Sequence, residues 1–180
     1  MSSTVVSVNL SPKHGFSKQP QLSIRLLEGR GVEGDAHCGE TVQHLYLKRK
    51  NAAAPNRMQV HLLQWELLTD LAAEGYDLHP GDLGENIMTR GIDVLRLPLG
   101  TRLHIGANAV VELTGLRSPC RQIESFRCGL LQRMIVQGGD GRQTARAGVM
   151  AVVTTGGDVF PGDSIRVHLP AAPYLGMTMI

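Results

Sequence analysis

The chain has 180 residues, 42% of them hydrophobic and 19% charged, a balance that suits one soluble globular domain over residues 1–180. A net charge of +2 with seven neutral histidines gives no footing for nucleic-acid binding, and the densest basic cluster, Lys48-Arg49-Lys50, reads as a solvated loop. No apolar run is long enough to cross a membrane and no basic-then-apolar leader opens the chain. Three cysteines (Cys38, Cys120, Cys128) cannot all pair, so free thiols in the reducing cytoplasm are expected.

In chain order, Thr4 to Leu10 reads as a short strand and Ser11-Pro12-Lys13-His14-Gly15 as a loop. Leu22, Ile24 and Leu26 then alternate with their neighbours in a second strand. Gly29 to Asp35 is too rich in glycine for a regular element, and residues 40–57 are expected as an exposed loop. Leu63, Leu67 and Leu71 fall four apart, with Leu68 and Ala72 widening the stripe. That spacing predicts a helix from Val60 to Glu74, closed by Gly75 as a left-handed cap. After a glycine loop at Pro80 to Asn86, the alternation of Leu103 and Ile105, then of Ala109, Val111 and Leu113, predicts a hairpin turning at Gly106-Ala107-Asn108. Ile123, Phe126, Leu130 and Met134 predict a second helix over residues 122–135, and residues 136–145 read as a mobile loop. Val149 to Thr155 and Ser164 to Leu169 read as a second hairpin turning at Gly156-Gly157-Asp158. The 21 glycines are scattered, which suits tight turns between short strands. A mainly β fold follows, a closed or nearly closed antiparallel β-barrel with about two α-helices, because closure removes exposed sheet edges.

Three segments could carry chemistry. Arg117-Ser118-Pro119-Cys120 follows a predicted strand, so Cys120 should stand at the mouth of the sheet, its direction preset by Pro119. Arg117 and Arg121 flank it, and a guanidinium favours thiolate, which is both nucleophile and soft metal ligand. A small buried packing cysteine remains the alternative, as it does for Cys128. Asp35 and His37 alternate in a glycine-rich loop, where His37 could move protons with Asp35 orienting it, or the pair could simply cap a turn. Cys38 beside His37 lacks any zinc-type spacing. Gly81-Asp82-Leu83-Gly84-Glu85-Asn86 could cradle an anion on backbone N–H groups or could be an Asx turn. Neither a Walker loop nor a dinucleotide fingerprint is present. His44 and His61 are candidates to line a pocket, whereas His14, His79, His104 and His168 read as surface or strand-face residues.

Taken together, Gly34-Asp35-Ala36-His37-x-Gly39, Gly81-Asp82-Leu83-Gly84-Glu85-Asn86 with Gly91-Ile92-Asp93, and Arg117-x-Pro119-Cys120 resemble the MOSC domain, named for the C-terminal domain of molybdenum-cofactor sulfurases. The resemblance runs from about Gly29 to about Val167 and includes Gly162-Asp163 near the strand-rich end. It implies a β-barrel related to the pyruvate-kinase barrel domain. It also implies that Cys120 is the family's functional cysteine, with Asp35, His37, Asn86 and Arg117 presented around it.

Two functions follow from the resemblance. In one, Cys120 ligates molybdenum while Gly84, Glu85 and Asn86 with Arg117 hold the pterin and phosphate groups of the molybdenum cofactor, and N-hydroxylated compounds are reduced. In the other, Cys120 carries a persulfide without turnover of its own. The implied partners are a small-molecule cofactor or substrate, an electron-donor protein or a cysteine desulfurase. Pyridoxal phosphate is expected only on that desulfurase, and neither nucleic acid nor membrane is expected as a partner.

Overall fold

The computed structural model describes residues 3–137 and 143–180. Within these the chain runs through β1 (Thr4–Leu10), β2 (Gln19–Gln21), β3 (Ile24–Leu27), β4 (Gly31–Val32), α1 (Leu45–Asn51), β5 (Val60–Gln64), α2 (Trp65–Ala73) and β6 (Ile87–Arg90). It continues through β7 (Arg102–Ile105), β8 (Ala109–Leu116), α3 (Arg121–Phe126), α4 (Leu130–Arg133), β9 (Ile135–Gln137), β10 (Gln143–Ala145), β11 (Val149–Thr155), β12 (Gly157–Val159) and β13 (Ile165–His168). The fold is mainly β, as expected, but four short helices replace the two read from the sequence.

The main sheet has eight strands in the order β13-β7-β8-β11-β5-β6-β1-β2. Two expectations fail here. The sheet is mixed rather than antiparallel, because β5 and β6 pair in parallel. It is also not closed into a barrel: among the described residues no ladder joins β13 to β1 or β2, and β1 meets the segment leading into β13 through the isolated bridge Thr4–Ser164 and the backbone bonds around it. A three-stranded sheet, β12-β3-β4, is hydrogen-bonded separately, and its Ile24, Leu26, Val32 and Val159 join the core of the main sheet.

The reading of Val60 to Glu74 as one helix is corrected for a physical reason. β5 and β6 carry apolar side chains on both faces. Leu62 and Ile87 join the core of the main sheet, while Leu63 and Met88 join a second core with Leu67, Leu68, Leu71, Ile123 and Leu130. A strand buried on both sides shows no alternation, and Leu63 then falls into the helical stripe of α2 by coincidence of spacing. α2 itself ends as expected, with Gly75 at φ +89° and the Tyr76 N–H donating to the Leu71 carbonyl at 2.9 Å. Nine residues would not hold a helix in water, so burial of its three leucines, about 1.5–3 kcal/mol each, keeps α2 folded.

The hairpin β7–β8 forms as predicted. The second hairpin does not: β11 pairs with β8 and β5, β12 with β3, and β13 with β7. The helix expected over residues 122–135 is divided into α3 and α4 by Gly129, at φ +78°. The loop expected at residues 40–57 contains α1, and Lys48-Arg49-Lys50 lies on that helix, still exposed. Half of the loop expected at residues 136–145, residues 138–142, lies outside the described residues; its flanks pair as β9 and β10. No helix among the described residues is long and apolar enough to cross a membrane.

Candidate functional site

β8 ends at Leu116, and the Arg117 N–H donates to the Gly148 carbonyl at 2.9 Å, which fixes where the chain leaves the sheet. Ser118 and Pro119 follow, and Cys120 sits directly before α3, half-buried, with its thiol donating to Gln122 Oε1 at 3.6 Å. Cys120 lines a cavity of about 510 Å³ that it shares with Arg117, Lys18, His37, His44, His61, Gly84 and Asn86. Thus Asp35's neighbour His37, two residues of the glycine loop and the cysteine meet at one place, although they lie far apart in the chain.

Behind the cavity wall Asp35 is a saturated hub. Its carboxylate accepts hydrogen bonds from the Ser11 N–H at 3.2 Å, from Lys18 Nζ, from Asn86 Nδ2 at 3.1 Å, and from both the backbone N–H (2.9 Å) and Nδ1–H (3.2 Å) of His37. Burial alone would push this carboxyl up, but the His37 bonds and the Lys18 charge outweigh it and hold Asp35 well below the usual carboxylate range. His37 is thereby fixed in ring orientation, with Nε2 as its second proton site. Asn86 is equally committed: besides Asp35, its Nδ2 donates to the Asn9 carbonyl at 3.1 Å, and its Oδ1 accepts from the His61 N–H at 3.1 Å.

The glycine loop is built for close approach. Gly84 has φ +79°, and a Cβ there would collide with the Phe16 carbonyl; a Cβ on Gly81 would collide with that of Lys18. The loop therefore clamps the segment that carries Phe16 and Lys18 into the site. Its N–H groups at Gly81, Asp82, Gly84 and Asn86 already donate within the protein. Glu85 does not line the cavity. It is fully buried, with Oε1 accepting from the Gly81 N–H and Oε2 without a partner. Burial raises its carboxyl to about 7, against the opposing pull of the loop N–H groups and Arg117.

Arg117 donates from Nη1 to the Leu83 carbonyl at 2.7 Å and lies over the Phe16 ring, 5.6 Å from its centroid. Burial lowers its pKa from the ordinary value, opposed by Cys120 and Glu85. His44 is lowered to about 4 by burial and by the neighbouring His37, Arg117 and Lys18, so it is neutral at pH 7. His61 is lowered well below its ordinary range by burial, and its Nε2–H donates to the Ala147 carbonyl at 2.9 Å.

Sequence reasoning placed Cys120, His37, Arg117, Gly84, Asn86, His44 and His61 at this cavity, and the structure brings them there. Of the two flanking arginines only Arg117 lines it; Arg121 is exposed on α3. Cys128 is exposed between α3 and α4 rather than packed. His14 was read as a surface residue; it is exposed, but its ring meets His37 edge-on at 5.1 Å. Lys18 was missed, and nothing in its neighbours signals a buried ion pair with Asp35. Phe16, Tyr46, Leu47, Met58, Met150 and Ile180 were also missed, and they form the apolar part of the lining. Ile180 arrives because the tail lies parallel to the end of β8, with the Leu116 N–H donating to the Thr178 carbonyl and the Ile180 N–H to the Leu116 carbonyl.

Among the described residues, no group of three or more His, Cys, Asp or Glu is arranged to hold a metal ion.

A family model described as the MOSC domain matches residues 37–166. Comparison with curated proteins gives no match. Among solved structures, the YuaD protein from Bacillus subtilis has a TM-score of 0.75 at 23% identity, covering 95% of this chain and 98% of that one. YiiM from Geobacillus stearothermophilus has a TM-score of 0.68 at 18% identity, covering 97% of this chain and 79% of the other. YiiM from Escherichia coli has a TM-score of 0.65 at 17% identity, covering 97% and 73%. At these identities the likeness is one of fold.

Proposed function

The chain belongs to the MOSC domain family, and from that premise we propose that it binds molybdenum cofactor through the Cys120 thiolate and reduces N-hydroxylated compounds. The observation that carries this reading is the composition of the cavity. One reachable thiol shares it with two basic side chains, Lys18 and Arg117, and no Asp or Glu lines it among the described residues. The residues fit the cofactor: a soft sulfur donor, positive charge for an anionic group, and a volume within the roughly 300–1,000 Å³ of small-molecule sites.

When bound, the cofactor would supply the two electrons of the reduction. The N–O bond breaks, the oxygen leaves as water and two protons are consumed. His37 is suited to deliver one of them, because Asp35 fixes its Nδ1 side and leaves Nε2 to carry the proton. Lys18 keeps Asp35 ionised, and Asn86 ties that carboxylate to the backbone of β1 and to His61. Arg117 would face the anionic portion of the cofactor. The electron donor would be a separate soluble protein. The free cysteines accord with a reducing cytoplasm as the place of action.

The test is metal and pterin content after expression with molybdate, wild type beside Cys120→Ala. Molybdenum and pterin bound by the wild type and lost in the variant would support the reading. Equal metal content in both would overturn it. A second reading, persulfide carriage by Cys120 with sulfur from a cysteine desulfurase, is favoured by the partial exposure of the thiol. Absence of added sulfur on Cys120 after incubation with a desulfurase and cysteine would remove that reading.

A further inference from the structure

α1 differs from the other three helices: among the described residues it alone has no buried residue. Leu45 is 54% and Tyr46 65% exposed, although both are apolar enough to favour cover. Seven residues without burial do not sustain a helix by propensity.

What holds α1 is its base. The Val42 N–H donates to the Ala54 carbonyl and the Asn56 N–H to the Glu40 carbonyl, both at 2.9 Å, with an isolated bridge at Thr41–Pro55. Asn56 is buried and anchors this neck to the site loop, its Nδ2 donating to the carbonyls of His37 and Gly39. Residues 43–53 therefore project from a fixed two-stranded neck. Even so, Tyr46 and Leu47 line the Cys120 cavity, and Lys50 Nζ lies 4.4 Å from the Tyr46 ring centroid.

The cavity is also graded. Lys18 lies deep, only 6% exposed, Arg117, Phe16 and Leu47 are half-buried, and Tyr46 stands out in solvent. We infer that residues 43–53 form a hinged cover, and that Tyr46 and Leu47 decide which ligands the site retains: anions that carry a flat apolar body. The anionic end reaches Lys18 and Arg117, and the apolar body gives α1 the burial it lacks. This selectivity belongs to the protein's own walls and does not depend on the cofactor.

The test uses the full chain from a molybdate-free host, confirmed to hold no molybdenum, with 2-naphthyl phosphate and inorganic phosphate as the two probes. Titration calorimetry should show 2-naphthyl phosphate binding at least about tenfold more tightly than phosphate, the size expected for covering two apolar side chains. At saturation, hydrogen exchange of the amides of residues 45–51 should slow with 2-naphthyl phosphate and not with phosphate. A Tyr46→Ala, Leu47→Ala double variant should lose the tenfold preference and keep the wild-type melting temperature, because neither side chain is buried. Unchanged exchange on saturation, an undiminished preference in the double variant, or no binding of 2-naphthyl phosphate at millimolar concentration would each overturn the inference. None of these outcomes bears on molybdenum content, so the cofactor reading stands or falls separately.

Discussion

Two buried carboxyls lie on either side of the same wall and behave in opposite ways. Asp35 is 7% exposed and Glu85 fully buried, and both feel Lys18 or Arg117. Asp35 is pulled well below the carboxylate range, whereas Glu85 is pushed up to about 7. The difference is the supply of donors. Asp35 receives five hydrogen bonds over its two oxygens; Glu85 receives one from Gly81 on Oε1, and Oε2 has none. Burial disfavours charge at both; the bonds to Asp35 outweigh it, whereas the backbone donation to Glu85 does not. The wall thus has an ionised end that orients His37 and a proton-holding end beneath the glycine loop.

The largest effect should come from breaking the ionised end. Asp35→Ala leaves Lys18 buried without its partner, which should cost about 3–5 kcal/mol in urea unfolding at pH 7. A loss below about 1 kcal/mol would mean that solvent already reaches the pair.

The second effect is a matter of sign. Glu85 has a raised folded pKa, so its contribution is fully present below its unfolded value near 4.5 and is lost as pH rises through about 7, on the order of 3 kcal/mol in all. Asp35, with a depressed folded pKa, contributes above its unfolded value near 3.8 and loses that contribution as pH falls. Glu85→Gln should therefore flatten the decline in stability between pH 4.5 and 7.5 while leaving the acid limb in place. If melting temperature against pH has the same slope in that interval for wild type and Glu85→Gln, the contrast between the two carboxyls is wrong.

Asn86→Ala removes one of Asp35's donors together with the bonds to Asn9 and His61, and should cost about 1–3 kcal/mol by the same unfolding measurement. The smallest change is expected at the rim. Cys120→Ser, half-exposed and outside both ends of the wall, should alter stability by no more than about 0.5 kcal/mol. Any loss of bound cofactor in that variant would then report ligation and not unfolding.

The same contrast marks what the sequence could reveal. Cys120 was legible because an alternating strand, Ala109 to Leu113, runs straight into Arg117-Ser118-Pro119-Cys120, so local pattern alone sets its place. His37 and Asp35 were legible because they are two apart in one loop. Lys18 was not, since its partner lies 17 residues away across a loop of no regular pattern. Glu85 was visible as part of a glycine loop, but its pKa depends on an absent donor, which only packing reveals. The fold followed the same rule. β7 and β8 share a tight turn and were recognised, whereas β11 and β13, separated by β12, looked like a hairpin and find other partners. Barrel closure was inferred from the need to hide edges, and the chain instead ends its sheet at β2 and β13, with β1 joined to the segment before β13 by the Thr4–Ser164 bridge and a few backbone bonds.

The path of the tail has a practical consequence for handling the protein. Because Thr178 to Ile180 lie against the end of β8 and Ile180 lines the cavity, proteolytic clipping within residues 178–180 during purification would reshape the cavity wall as well as loosen the end of the sheet.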